Sequence, residues 1–252
     1  MIALITGATA GIGKATAEKF AKEGLNIIIT GRRCQRLENL KKELTDKYNV
    51  KIKSLCFDIR DRNAVEKNIL SLDNYWQQID ILVNNAGLAL GFEPIHNGNP
   101  DDWEIMIDTN IKGLLYISRL IINMMIKRKK GHIINVSSIA GKEVYLNGNV
   151  YCATKHAVEA LTKAMRMELI DENIKVSSVA PGKVHTEFSL VRFKGDKERA
   201  DKVYEGYRAL SAEDIAEVIW FIASRPPHVN VADVLVITAD QADTRLFKNN
   251  FK

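Results

Sequence analysis

The sequence predicts an α/β fold in which one doubly wound parallel sheet carries helices on both faces. Three observations lead there. Short apolar runs alternate with longer amphipathic segments from one end of the chain to the other. A glycine cluster separates the first apolar run from the first helical segment. No repeat, low-complexity tract or linker interrupts the 252 residues, a length that one α/β domain can span. Residues 1–252 are therefore read as a single domain.

Each element has its own signal. Met1 to Thr6 (MIALIT) is uniformly apolar and stops at Gly7, as a strand buried on both faces does. Ile12 to Glu23 has helical composition and ends at Gly24, a C-cap glycine. Leu25 to Thr30 is rich in β-branched residues and reads as a strand; Cys34 to Lys47 is an amphipathic helix, and Val50 to Phe57 a third strand. The alternation continues with a helix near Arg62 to Leu72, a strand at Ile79 to Val83 and a long helix near Asp101 to Lys129. His132 to Ser137 is the next strand, Asn149 to Asp171 a helix, Ile174 to Ala180 a strand, Ser211 to Ser224 a helix and Val231 to Ile237 a last strand.

Bulk properties exclude several classes. The net charge of +5 comes from scattered residues, and Lys127 to Lys130 reads as the basic end of a helix, so no nucleic-acid role is expected. Cys34, Cys56 and Cys152 are far apart and form no CxxC pair, which argues against a disulfide framework or zinc site and for a reducing cytoplasm. The five histidines lack metal-ligand spacing, so no metal is expected. Met1 leads straight into the first strand with no room for a signal peptide. The longest apolar segment, Leu114 to Ile126, contains Arg119 and falls short of the ~20 residues of a membrane span. A soluble protein without membrane contact is expected.

Two stretches carry chemistry. Between the first strand and helix lies Thr6-Gly7-Ala8-Thr9-Ala10-Gly11-Ile12-Gly13. Its glycines let backbone approach a pyrophosphate, which the positive end of the following helix attracts. Where an acid would hold ribose hydroxyls, at the end of the second strand, the chain has Gly31, Arg32 and Arg33. Two guanidiniums with no acid beside them in sequence suit a 2′-phosphate, and hence NADP over NAD. Asp58 and Ile59, at the end of the third strand, are placed to flank adenine, although Asp58 could equally cap the next helix.

The second stretch is Ser138 to Lys155. Tyr151 and Lys155 stand four apart and share a helix face, where an ammonium would stabilise the phenolate and lower the phenol pKa. Ser138, arriving from a strand, is placed to hydrogen-bond a reacting oxygen. Ser137 lies one step earlier and should face the other way.

Together with Asn84-Asn85-Ala86-Gly87, Asn110 and Pro181-Gly182, these motifs make the whole chain resemble the short-chain dehydrogenase/reductase family. The resemblance implies a single Rossmann-type domain with a seven-stranded sheet and a substrate-covering segment at about residues 183–210. It implies that Tyr151 is the general acid/base, that Lys155 lowers its pKa and holds the nicotinamide ribose, and that Ser138 orients the substrate oxygen. Asn110 would kink its helix and hold a water against Lys155. Asn85, Ala86 and Gly87 would line the cofactor, with Val184 and Thr186 at the nicotinamide carboxamide.

The stretches NNAGLALGFEP, DWEIMIDTNIKGLLYISR, GNVYCATK and TEFSLVRFKGD look like the subgroup of NADP-dependent 3-hydroxy acid dehydrogenases, which act on serine, allo-threonine and malonic semialdehyde and are homotetrameric. Lys183-Val184-His185 is shorter than its counterpart in some bacterial members. For the substrate carboxylate, Arg192 and Lys194 are the candidates, by sign and by position. The alternatives are a 3-oxoacyl thioester or general ketone reductase, and a non-catalytic NADP(H)-binding regulator.

Overall fold

The computed structural model describes residues 1–248. Every residue of its first strand, β1 (Ile2–Ile5), is buried. Side chains of a strand point alternately to two faces, and both faces here are covered. Ile2 and Leu4 join one apolar layer, Ala3 and Ile5 the other.

The chain continues through α1 (Gly11–Lys22), β2 (Asn26–Gly31), α2 (Cys34–Tyr48), β3 (Ile52–Cys56), α3 (Arg62–Leu70) and β4 (Ile81–Asn84). Then come α4 (Pro100–Ile107), α5 (Leu114–Arg128), β5 (Gly131–Val136), α6 (Asn149–Glu168) and β6 (Ile174–Pro181). Two short helices, α7 (Phe188–Arg192) and α8 (Lys197–Lys202), precede α9 (Ala212–Ala223) and β7 (Asp233–Val236). The strands form one parallel sheet in the order β3-β2-β1-β4-β5-β6-β7. The expected alternation and both helical layers are present.

One layer sets Phe20 of α1, Leu37 and Leu44 of α2 and Ile219 of α9 against the sheet. The other sets Val65 of α3, Ile117 and Ile121 of α5 and Val158 of α6 against the opposite face. Phe20 is fully buried and meets Trp220 edge-on at 5.5 Å; burying one such side chain contributes about 1.5–3 kcal/mol. Among the described residues no helix is long and apolar enough to cross a membrane.

The sheet order reverses between β1 and β4, because the chain builds β2 and β3 on one side before returning to the other. The crevice beyond the carboxyl ends of strands at such a reversal is the usual ligand site of a doubly wound fold. The glycine loop after β1, the Asn85 loop after β4, Ser138 after β5 and Gly182 after β6 all open onto it.

Two local expectations change. The long helix expected from Asp101 to Lys129 contains a π-helical turn, Asp108–Gly113, which joins α4 to α5 and carries Asn110. The cysteines also depart from their sequence reading, since Cys34 and Cys56 are joined by a disulfide with their Cα atoms 5.2 Å apart. Twenty-two positions separate them in sequence, but Cys56 is the register partner of Gly31, and Cys34 follows Gly31 after a two-residue turn. Cysteine placement therefore gives no argument for a reducing compartment. Cys152 is buried and unpaired.

Candidate active site

The loop after β1 depends on glycine at two positions. Gly7 has φ +68°, and a Cβ there would lie 2.9 Å from the Ala86 Cα. At Gly13, a Cβ would come within 2.5 Å of the Gly7 carbonyl oxygen, so the first turn of α1 packs directly beneath the loop. The Asn85 side chain ties the loop to β4 by donating to the carbonyls of Thr6 at 2.9 Å and Gly7 at 3.3 Å, while the Thr6 hydroxyl accepts from the amides of Asn85 and Ala86. The start of α1 has neither a side-chain cap nor an acid in its first turn. Its leading N–H groups thus suit an anionic partner.

A cleft of about 350 Å³ runs from this loop to α6. Among the residues that line it are Gly7, Thr9, Ala10, Gly11, Ile12, Arg32, Arg33, Asp58, Ile59, Asn85, Ala86 and Gly87, and, toward α6, Ser138, Tyr151, Lys155, Pro181, Gly182, Val184 and Thr186. Gly13, Asn110, Arg192 and Lys194 lie outside this lining.

Where the cleft meets the end of β2, the arginines are not free of acids. Arg33 donates to the Thr9 hydroxyl at 2.9 and 2.6 Å and to Glu187 at 2.7 Å. Arg36 reaches the same carboxylate at 2.8 Å, and Arg32 approaches Asp58 at 3.6 Å. The sequence expectation of arginines with no acid beside them is therefore corrected: Glu187 is remote in sequence and arrives from the segment before α7. Hydrogen bonds from Arg33, then Arg36, hold its carboxyl below the usual range.

Asp58 does not cap a helix. Burial opposes its charge, but bonds from Arg60 outweigh that and hold its carboxyl low. The cap of α3 is Asp61, which accepts from the Ala64 amide.

Tyr151 and Lys155 sit on the buried face of α6. The Lys155 ammonium donates to the Val136 carbonyl at 3.0 Å and lies 6.0 Å from the Tyr151 ring centre. Burial pulls its pKa down to about 8, against a small opposing effect of Glu159. The Tyr151 phenol moves opposite to expectation. Burial pushes it up, while the Ser138 hydroxyl and Arg192 pull it back without overcoming burial. Ser138 also caps the short turn Ile139–Gly141, its hydroxyl accepting from the Ala140 amide at 3.1 Å. Ser137 also lines the cleft, and its hydroxyl lies beside Gly141, where an added Cβ would meet it at 2.7 Å.

Asn110 is buried in the π-helical turn. Its amide donates to the Leu88 carbonyl at 2.8 Å and to the Thr154 hydroxyl at 3.0 Å, and its carbonyl accepts from the Leu88 amide at 2.9 Å. The side chain thus fastens the loop after β4 to α6, and both its carbonyl oxygen and the Lys155 ammonium face Gly87.

Helix α7 covers Tyr151. Phe188 meets the Tyr151 ring edge-on at 5.6 Å. The Arg192 guanidinium lies 5.6 Å from the same ring centre and 4.7 Å from that of Phe92. It donates to the Tyr145 hydroxyl at 2.9 Å and the Gly91 carbonyl at 3.2 Å, and no carboxylate among the described residues pairs with it. Lys194, by contrast, is paired with Asp102 at 2.8 Å, so its charge is already met within the fold, which counts against it as a carboxylate ligand. Sequence reasoning missed Glu187, Arg36, Phe188 and Tyr145, because each joins the site only when residues 183–195 fold back over the cleft.

Comparison with known proteins agrees with this geometry. The model of the short chain dehydrogenase family matches residues 1–196. An NADP-dependent 3-hydroxy acid dehydrogenase, YdfG, from Salmonella typhi is 48% identical over 243 residues, spanning 96% of each chain. A serine 3-dehydrogenase from Agrobacterium fabrum is 43% identical, over 95% of this chain and 94% of its own. The closed form of a serine dehydrogenase complexed with NADP+ superposes with a TM-score of 0.92 at 46% identity, covering 98% of both chains. With a glycine loop at the sheet reversal and a tyrosine and lysine paired on α6, this chain belongs to the short-chain dehydrogenase family.

Proposed function

We propose that the protein is an NADP-dependent dehydrogenase of small 3-hydroxy acids, of the serine, allo-threonine or 3-hydroxypropionate type, and the corresponding reductase of malonic semialdehyde. The observation that carries the substrate class is Arg192. It holds a cation without a carboxylate partner, among the described residues, beside the ring of the proposed acid/base. An anionic carboxylate is the complement of such a guanidinium. A thioester or a simple ketone has no charge for it to meet. The names of the relatives agree with this choice.

The residues present fit the cofactor. The uncapped start of α1 and the glycine loop would take the pyrophosphate, Arg32 and Arg33 the 2′-phosphate, Asp58 and Ile59 the adenine, and Lys155 the nicotinamide ribose. Asn85, Ala86 and Gly87 would line the ring side, with Pro181, Gly182, Val184 and Thr186 opposite. NADP supplies the hydride acceptor and donor at C4 of its nicotinamide.

The chain's own residues then divide the work. Tyr151 takes the proton from the substrate C3 hydroxyl in oxidation and returns it in reduction. Ser138 hydrogen-bonds the same oxygen and the phenol, so that both are held in line. Lys155 supplies the positive charge that offsets burial of the phenolate. Arg192 fixes the carboxylate and Phe188 excludes water above Tyr151. Asn110 acts indirectly, positioning α6 through Thr154. A cytoplasmic homotetramer belongs to the same proposal; the exposed Leu115, Phe221 and Leu235 provide apolar surface for contacts between copies.

Three variants check this reading. Tyr151→Phe is expected to bind NADP+ as the wild type does and to lose about a hundredfold or more in kcat, the scale of general acid/base catalysis; retained turnover excludes Tyr151 from proton transfer. Arg32→Ala with Arg33→Ala should weaken NADP+ binding by about 2 kcal/mol or more, from lost charge-assisted bonds, and leave NAD+ nearly unchanged in a calorimetric titration. Arg192→Ala should raise KM for serine or 3-hydroxypropionate at least about tenfold, as loss of a charged hydrogen bond does, while NADP+ affinity holds; an unchanged KM refutes the carboxylate assignment.

A further inference from the structure

The Cys34–Cys56 disulfide lies at the foot of the cofactor's phosphate end. Strand β2 ends at Gly31, Arg32 and Arg33 form the whole turn, and Cys34 is the first residue of α2. Cys56, the last residue of β3, is the register partner of Gly31. The two sulfurs flank the Arg32 carbonyl oxygen at 4.0 and 3.8 Å. The residue after Cys56 donates its amide to the Gly31 carbonyl at 3.0 Å, and Asp58 and Ile59 of the cleft follow at once. The cross-link therefore clamps the arginine turn from below, between two elements that line the cleft.

Both cysteines are exposed, whereas Cys152 is buried. Their Cα separation of 5.2 Å suits a disulfide without movement of the backbone. Cys34 opens the first turn of α2 directly after Arg32 and Arg33, at a helix N-terminus, a position that favours a thiolate. Arg33, the residue before α2, makes no side-chain cap for that helix; its guanidinium is held by Thr9 and Glu187, and its carbonyl accepts from the Leu37 amide, so the disulfide is the one covalent tie on the turn.

We propose that Cys34 and Cys56 form a reversible thiol–disulfide site, exchanged by small disulfides of the glutathione type, whose oxidation state sets how tightly the Arg32–Arg33 turn grips the 2′-phosphate of NADP. The proposal rests on the NADP reading above. In the oxidising direction, the Cys34 thiolate attacks one sulfur of the small disulfide and expels one thiol. The Cys56 thiolate then attacks the Cys34 sulfur of the mixed disulfide and expels the second. The two protein thiols lose two electrons and two protons, and the small disulfide gains both as it leaves as two thiols. The oxidised form holds the arginine turn in its binding geometry; the reduced form must order it on binding, and that ordering weakens affinity. NAD+ has no 2′-phosphate to place on the turn, so its affinity is insensitive to the change.

The test uses the full chain equilibrated with reduced or with oxidised glutathione. Free thiols are trapped by alkylation and mapped by mass, and NADP+ and NAD+ are titrated calorimetrically into each form. The expected result is a Cys34–Cys56 bond in the oxidised sample alone and NADP+ affinity at least about fivefold higher there. NAD+ affinity should agree within about twofold between the two. Cys34→Ser and Cys56→Ser should each bind NADP+ as the reduced wild type does in either buffer. Absence of the bond under oxidising conditions overturns the proposal, as does an equal NADP+ preference in both forms of the wild type, a result that leaves the cofactor reading intact. Equal affinity for NADP+ and NAD+ in both forms overturns the two together.

Discussion

The site depends on one buried cation. Lys155 sits on the inner face of α6 with its ammonium on the Val136 carbonyl at the end of β5, so a helix and a strand meet through a charge withdrawn from water. Burial of an ammonium favours its neutral form, and Lys155 titrates near 8 accordingly. The charged form works against folding in full below about pH 8, and that cost disappears as pH climbs from there toward 10.5, the ordinary lysine value. In the proposed mechanism that charge serves Tyr151, whose phenol burial pushes up.

Around that cation the fold converts topology into geometry. Reversal of the strand order between β1 and β4 leaves a crevice into which four loops open, and each loop brings one component. The glycine loop brings bare N–H groups, Asn85 fastens it to β4, Ser138 arrives extended from β5, and the segment after Gly182 folds back as α7. That segment is tied at both ends. Glu187 binds Arg33 and Arg36 at the β2 end of the cleft, while Arg192 binds Gly91 and Tyr145 near Tyr151. A 2′-phosphate on Arg33 would share that guanidinium with Glu187, so cofactor and cover are linked through a single side chain.

The sheet, its helices and the line of the cleft were legible in the sequence, because apolar runs closed by glycine and helical periodicity are local signals. Ser138, Tyr151 and Lys155 were legible for the same reason, since spacing on one helix and one strand end places them. What escaped was nonlocal. Glu187 lies over 150 positions from Arg33, and nothing in the intervening sequence marks the two as partners. The Cys34–Cys56 bond needs the β2–β3 register, which cysteine spacing does not encode. Lys194 carried the right sign and the right position in the chain, yet Asp102 takes its charge; Arg192, two residues earlier, faces Tyr151. Asn110 was placed at a break in its helix, but its bonds to Leu88 and Thr154 emerge only once α6 is docked.

The most direct measurement is the titration of Lys155 itself, followed by NMR on protein isotopically labelled at the lysine side chains, with the signal assigned by its loss in Lys155→Ala. The expected result is a lysine titrating near pH 8, well below the ordinary 10.5. Titration of Lys155 at the ordinary lysine value would mean that its ammonium is solvated and not held against Val136, and would contradict the buried cation on which the site is built.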